Sequence, residues 1–414
     1  MHIVALTGHY YPFMKPPERC ISPFLENLSE DHTVEIVCPV YDRRYQDPFV
    51  KGKIKLNFVD SSANKVKSFI QTNRELERHK FLNGVLYWFY RASRYIYSWV
   101  KKEAYEDSSL VKSLLICAEK INVENKIDII ISVSLPFYSH VAALYYKRCH
   151  PEVRWITFTT DPFAYNEVNT IVAYKKREAI ALEQKIYDTC DYCITTEELF
   201  SNLKDDYNIN ISKILRLPYL LTNKLADDKT NEKNEKDGCV NVLYAGYLYN
   251  KIRNPKLMME SFKYIPNIKF NLYVAGDRYC RKYLKGQFPN NYNINGLVPR
   301  NKFLEQLAAN DILINLSNTI LLQAPSKLLE LISTGKPVVN FFHHKDSGYS
   351  IIEKYPLGIN ISCSKRPREI AKELELFIDQ NAKNRLSYTS VCELFEDHLF
   401  ENQVPLFRKV VIGK

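Results

Sequence analysis

Gln323-Ala-Pro-Ser-Lys-Leu-Leu-Glu330, continued by Leu331-Ile-Ser-Thr-Gly-Lys-Pro337-Val-Val-Asn-Phe-Phe342, reads as a turn, a short helix and a buried strand. Pro325 stiffens the entry. Ser326 suits an N-cap, because its hydroxyl can accept a backbone N–H of the first turn. Gly335 is placed to stop the helix, and Pro337 keeps it from resuming. A helix opening on Ser326 and Lys327 offers backbone N–H groups, a positive dipole end and an ammonium, which are the parts of an anion site. Glu330 lies four residues after Ser326, on the same face one turn deeper. A carboxylate there can accept two hydroxyl protons from a sugar while a phosphate stays at the helix end. The stretch therefore suggests a nucleotide-sugar site.

The same alternation of strand and helix extends on both sides of it. Upstream come Val240 to Tyr244, a helix from Pro255 to Tyr264, Phe270 to Val274, a helix from Asn301 to Asn310, and Ile312 to Leu316. In the first half, Ile3–Leu6, Thr33–Val37, Asp128–Ser132, Arg154–Phe158 and Tyr192–Thr195 read as strands. Helical patterns lie at Pro23 to Leu28, through Ala142 to Lys147, and at Lys175 to Asp188. Continuous apolar runs, each followed by a helix, predict parallel sheets covered on both faces. Thr222 to Asp237 is almost devoid of apolar residues and reads as a solvated linker. The expected organisation is α/β, with two Rossmann-like doubly wound domains. The first spans residues 1–221, the linker 222–238, and the second 239–392. The amphipathic C-terminal segment 393–414 is expected to pack back on the first. Such domains would face a ligand cleft at their C-terminal strand ends.

Composition narrows the classes. The chain has 414 residues, room for about two domains, and 46% of them are hydrophobic, enough for packed cores. Ten cysteines are scattered through apolar segments rather than framed as disulfides. The close pair Cys190-x-x-Cys193 has no second pair or His partner at zinc-site spacing, so buried free thiols in a reducing cytoplasm are expected. Met1-His-Ile-Val-Ala-Leu6 reads as an opening strand, not a secretory signal. The charge-free run from Ile129 to Tyr146 holds Pro136, His140 and three serines, and reads as strand, loop and helix rather than a membrane span.

The net charge is +10, and it is concentrated. Residues 61–102 carry nine Lys and Arg against two Glu, interleaved with Phe69, Trp88, Phe89 and Trp99 among other aromatics. Basic residues mixed with aromatics at helical spacing suit an anionic membrane surface. The alternative is an aromatic core face under a solvated basic one. A nucleic-acid partner is not expected, since no zinc-finger, RRM or helix-turn-helix signature accompanies the charge.

Taken in chain order, the motifs resemble those of GT-B glycosyltransferases, and within them the retaining family-4-like enzymes of bacterial surface polysaccharide synthesis. Tyr10-Tyr-Pro12 through Glu18-Arg19 resembles the loop after the first strand, with Pro16-Pro17 where the family commonly has two glycines. Arg19 would meet an acidic or phosphorylated group. Asp128 to His140 is similar to an acceptor-side strand and loop, which places His140 there. Asp161-Pro162 ends the next strand, and a carboxylate at a C-terminal strand end faces the expected cleft, giving Asp161 an acceptor or catalytic role. Gly246 in Tyr244-Ala-Gly246 permits close backbone approach, and Arg253 in Ile252-Arg-Asn-Pro255 can grip a diphosphate in a bidentate way. Gly276 follows the next strand. Gly296-Leu-Val298-Pro-Arg300 resembles the loop whose backbone contacts the base.

In the opening stretch, family members often carry two glutamates eight positions apart. Here the second is Glu330 and the first position is Leu322, so Asn318 or Gln323 would supply the missing hydrogen bonds to sugar hydroxyls. The resemblance implies a UDP-sugar donor, a glycan or lipid-linked glycan acceptor, and retention of configuration. No Asp-x-Asp occurs in the chain. Lys327, Arg253 and the helix dipole can neutralise the leaving diphosphate instead, so a metal-independent reaction with no cofactor is expected. The competing expectations are a non-catalytic nucleotide-sugar-binding or scaffold protein and a non-hydrolysing UDP-sugar 2-epimerase.

Overall fold

Apolar runs without alternation become strands buried on both faces. In the computed structural model all five residues of β1 (His2–Leu6) and all six of β5 (Ile129–Ser134) are buried. The structure describes residues 1–10, 14–40, 49–61, 65, 84–90, 92–93, 96, 104–105, 107–166, 172, 174–222, 239–250, 252–284, 291–320, 322–323 and 326–413. They divide into two units, Met1–Pro218 with Gln403–Lys414, and Tyr219–Asn402. From residue 223 onward the expected linker lies outside the described residues, as does most of the basic aromatic segment 61–102.

The first unit adds β2 (Thr33–Pro39), β3 (Phe49–Lys51), β4 (Ile54–Val59), β6 (Arg154–Thr159), β7 (Tyr192–Thr195) and β8 (Ile214–Arg216). Their order is β3-β4-β2-β1-β5-β6-β7-β8, parallel throughout except for the antiparallel edge strand β3. The chain winds outward from β1 through β2 to β4, then returns to lay β5 against the other side of β1. That reversal is the topological switch point, where loops diverge and leave a crevice. Pro16 and Pro17 open the helix Pro16–Leu28, at positions whose N–H groups have no intrahelical partner to lose. The C-terminal helix Phe400–Ile412 closes this unit. Phe407 stacks on Phe24 at 4.6 Å, Arg408 pairs with Asp31, and the Arg154 guanidinium donates to the Val410 carbonyl at 2.7 Å. The amphipathic pattern of the C-terminal segment 393–414 predicts one continuous helix there. The chain instead breaks at Phe395, which is buried with φ −128 and ψ 45, between the helix Tyr388–Leu394 and the last one.

The second unit contains β9 (Val240–Tyr247), β10 (Ile268–Ala275), β11 (Tyr292–Asn295), β12 (Ile312–Leu316), β13 (Val338–Phe342) and β14 (Gly358–Ser362), all parallel, in the order β11-β10-β9-β12-β13-β14. Its switch point lies between β9 and β12. Asparagines tie the buried strands together: Asn315 donates to Asn340 and Asn340 to Asn360, each at 2.8 Å. Lys336 is buried, and its ammonium caps the helix Arg300–Ala309 by donating to the carbonyls of Leu307, Ala308 and Asn310, satisfying groups that a helix end leaves open. Among the described residues no helix is long and apolar enough to cross a membrane.

Candidate functional site

At the switch point of the second unit the loops after β9 and β12 are tied together, because Thr319 N–H donates to the Ile252 carbonyl at 2.9 Å. Arg253 is thereby held beside the end of β12, where its Nε donates to Asn318 Oδ1 at 3.0 Å. Asn318 Nδ2 in turn donates to Gln323 Oε1 at 3.1 Å. Three residues singled out in the sequence thus form one chain of hydrogen bonds. Gly246, near the end of β9, lies under Lys327. A Cβ there would stand 3.3 Å from the Tyr244 hydroxyl and 3.9 Å from Lys327 Nζ. The Lys327 ammonium is exposed, 3.4 Å from the Ala245 carbonyl and 5.5 Å from the centre of the Phe303 ring.

The Ser326 expectation requires correction. Ser326 lies in a turn, and the helix runs only from Leu328 to Ile332, with Lys327 at its N-cap and no side-chain cap. All five helical residues are buried, so packing rather than capping sets where this helix begins. The anion-binding capacity therefore rests on side chains more than on a helix end. Pro325 lies outside the described residues.

Glu330 is buried at 8% exposure, and its carboxylate pairs with the Arg300 guanidinium. Arg300 also lies 5.5 Å from the Phe303 ring, so it shares that ring with Lys327. The sequence reading passed over Arg300 as a site residue, although it ends the Gly296–Arg300 stretch. Val298, two positions before it, is partly buried against the core that contains Leu243, Phe303 and Leu328. Gly276 follows β10 with φ +90, and a Cβ there would meet the Leu248 carbonyl at 2.8 Å, so only glycine fits. The arrangement gathers three cations, Arg253, Lys327 and Arg300, with one carboxylate and the amide side chains of Asn318 and Gln323. That set suits a diphosphate together with hydroxyl groups.

The first unit carries a second cluster at the C-terminal ends of its strands. Gly8, just after β1, packs so closely on Pro136 that a Cβ would fall 1.8 Å from Pro136 Cδ. The Tyr138 hydroxyl donates to the Gly8 carbonyl at 3.3 Å. Glu18, missed as a site residue although it stands in the quoted Pro-Pro-Glu-Arg run, is fully buried. Its carboxylate accepts the His9 N–H at 3.0 Å. Burial pushes its pKa up to about 7, against the pull of those backbone N–H groups. Asp161, partly buried after β6, is pushed by burial up to about 6 while the Thr160 hydroxyl draws it down. Burial first, then the charges of Asp161 and Glu18, raises the Cys20 thiol to about 12. The two carboxylates therefore belong to one neighbourhood. Arg19 is exposed on the helix next to Glu18.

His140 is not part of this cluster. It is fully buried, with Nδ1 2.7 Å from the Ser132 hydroxyl and Nε2 2.9 Å from that of Thr159. Both ring nitrogens are occupied, and burial alone pushes its pKa down to about 3. It is a core histidine on the helix Tyr138–Cys149, with nothing left to offer an acceptor. Cys190 and Cys193 are buried free thiols with sulfurs 3.4 Å apart.

No family model matches the chain, and no curated protein matches it in sequence. Among solved structures it is similar to the lipopolysaccharide outer core galactosyltransferase WaaB in its apo form, at 13% identity over 100% of this chain and 99% of that one, with a TM-score of 0.58. It is similar to WaaG, a glycosyltransferase involved in lipopolysaccharide biosynthesis, at 12% identity over the whole of both chains, with a TM-score of 0.58. It is also similar to the UDP-GlcNAc 2-epimerase from Methanocaldococcus jannaschii, at 12% identity over the whole of both chains, with a TM-score of 0.54. At these identities the likeness is one of fold, and the fold is GT-B.

Proposed function

We propose that the chain is a glycosyltransferase that moves a sugar from a nucleoside diphosphate sugar, with UDP as the nucleotide, to a hydroxyl of a glycan or lipid-linked glycan. The observation that carries this reading is the set at the second switch point: Lys327 over Gly246, Arg300 beside the same Phe303 ring and paired with the buried Glu330, and Arg253 bonded to Asn318. Lys327 and Arg253 bind the diphosphate and stabilise the charge it gains as the bond to the anomeric carbon breaks. Glu330 accepts hydroxyl protons of the ribose or sugar, and Asn318 and Gln323 take the place of the carboxylate absent at Leu322. The acceptor oxygen forms the new bond to the anomeric carbon, the electron pair of the broken bond leaves on the diphosphate, and the acceptor's proton is released. We assign the acceptor to the strand-end loops of the first unit, with Asp161 accepting from its hydroxyl and Arg19 free in the helix surface to meet a negative group.

Retention of configuration through an ion-pair-like front-face route, a role in capsule, O-antigen or exopolysaccharide synthesis, and seating on an anionic membrane through residues 61–102 complete the proposal. In the part of that segment within the described residues, Trp88 and Phe89 are 65% and 60% exposed, which supports a surface role for it. Support for metal-independent action comes from the cation set and from the lack of an Asp-x-Asp. The fold shared with a UDP-GlcNAc 2-epimerase keeps sugar epimerisation as a second reading. A thermal-shift screen of nucleotide sugars followed by transfer to lipid-diphosphate acceptors tests the proposal. Transfer is expected to persist in EDTA. Complete loss that Mg2+ restores would overturn the metal-free mechanism, and release of an epimerised sugar without transfer would favour the second reading.

A further inference from the structure

Glu183 is buried in the interior of the first unit, on the helix Lys176–Thr189. One carboxylate oxygen accepts the Phe163 N–H at 3.3 Å and the Tyr187 hydroxyl at 3.0 Å. The other accepts the Ala164 N–H at 3.0 Å and the Tyr207 hydroxyl. Phe163 and Ala164 belong to the loop that follows β6, two and three residues beyond Asp161. The Phe163 ring also stacks on Phe137 with centroids 3.6 Å apart, which ties this loop to the one after β5.

Burying a carboxylate is costly, and a buried ionic group is often no better for stability than apolar residues of the same volume. Burial raises the Glu183 pKa, so the group is kept against that cost. Two of its four bonds go to consecutive backbone N–H groups of a single loop, one that no regular element holds. Glu18 repeats the device at the loop after β1, where it accepts the His9 N–H.

We propose that Glu183 is a positioning residue, which fixes the loop 161–164 so that the Asp161 carboxyl is presented, partly buried, at the end of β6. This rests on the acceptor-side reading of Asp161 given above. Glu183 acts through the backbone, since its bonds to the loop are to the Phe163 and Ala164 N–H groups.

The test follows the titration of Asp161 by carboxyl-carbon NMR in the full chain, assigned by the signal missing from Asp161→Asn, together with calorimetric binding of UDP. In Glu183→Gln an amide NH2 replaces one of the two acceptor oxygens that face the loop. The loop loosens, water reaches Asp161, and its pKa falls from about 6 by about one unit or more toward the usual carboxylate range of about 4, with UDP affinity unchanged. Tyr207→Phe, which removes one hydroxyl and leaves the backbone contacts, shifts Asp161 in the same direction by less, and serves if the first variant does not fold. An Asp161 titration unmoved in both variants would overturn the inference whatever UDP does. Failure of UDP to bind the native chain would overturn the functional reading whichever way Asp161 titrates.

Discussion

Glu330 is a carboxylate at 8% exposure whose charge is met by the Arg300 guanidinium. The pairing is charge-assisted, and such hydrogen bonds are about twice as strong as those between neutral groups. Glu330→Ala is expected to lower the transfer rate on the order of 100-fold, measured as UDP released from the donor in the presence of acceptor; unchanged turnover would remove it from the site. Glu18 makes a prediction about pH. Its folded pKa of about 7 lies above the ordinary value of about 4.3, so the folded chain holds a proton that the unfolded chain gives up. The stability from that proton is complete below about pH 4 and is lost as pH rises toward 7, by roughly 3 kcal/mol. Glu18→Gln should therefore gain in melting temperature relative to the native chain between pH 5 and pH 8. A difference between the two that stays constant with pH would contradict this. The residues that bear on these arguments were unequally legible. Lys327, Glu330 and Arg253 stand out as candidates by type and spacing. Arg300 and Glu18 did not, because a surface Arg and a helix-start Glu look alike in sequence until a partner or burial is known. His140 misled for the same reason: only the Ser132 and Thr159 hydroxyls on its two nitrogens reveal a core residue.

At the scale of elements, Gly335 decides how the key stretch ends. It has φ +67, its N–H donates to the Ile332 carbonyl at 2.9 Å, and a Cβ would stand 2.1 Å from the Leu386 carbonyl oxygen. Gly335→Ala is expected to cost about 3 kcal/mol or more, from backbone strain and that overlap together. The urea midpoint measures it, and a loss under about 0.5 kcal/mol would mean that the backbone there relaxes freely. The helix stop was readable because glycine has few other uses at such a place. The helix start was not. Ser326 has the chemistry of a cap, yet the buried run Leu328–Ile332 begins two residues later, since tertiary packing outweighs a local preference worth about 1 kcal/mol. The strands that escaped notice, β3, β4, β8, β11 and β14, lie toward the sheet edges. Strands there are short or mix polar with apolar residues, as Tyr292-Asn-Ile-Asn295 does, and lack the continuous apolar signal of β1, β5, β12 and β13.

Over the whole molecule, two sheets built by the same winding rule each reverse direction once, between β1 and β5 and between β9 and β12. Each reversal opens its loops at the C-terminal strand ends, and the chemistry-bearing residues of each unit lie there or on the neighbouring strand. This architecture was legible from the alternation of apolar runs and helices, because parallel sheets bury both faces. The pairing of Arg300 with Glu330 and the anchoring of a loop by Glu183 depend on contacts between residues distant in sequence, which no local pattern encodes. The central claim is that the second unit binds a nucleoside diphosphate through side-chain cations. Calorimetric titration of UDP into the native chain and into Lys327→Ala tests it most directly. The account predicts saturable binding to the native chain, weakened on the order of 100-fold by the substitution; no binding to the native chain, or equal affinity in both, would contradict it.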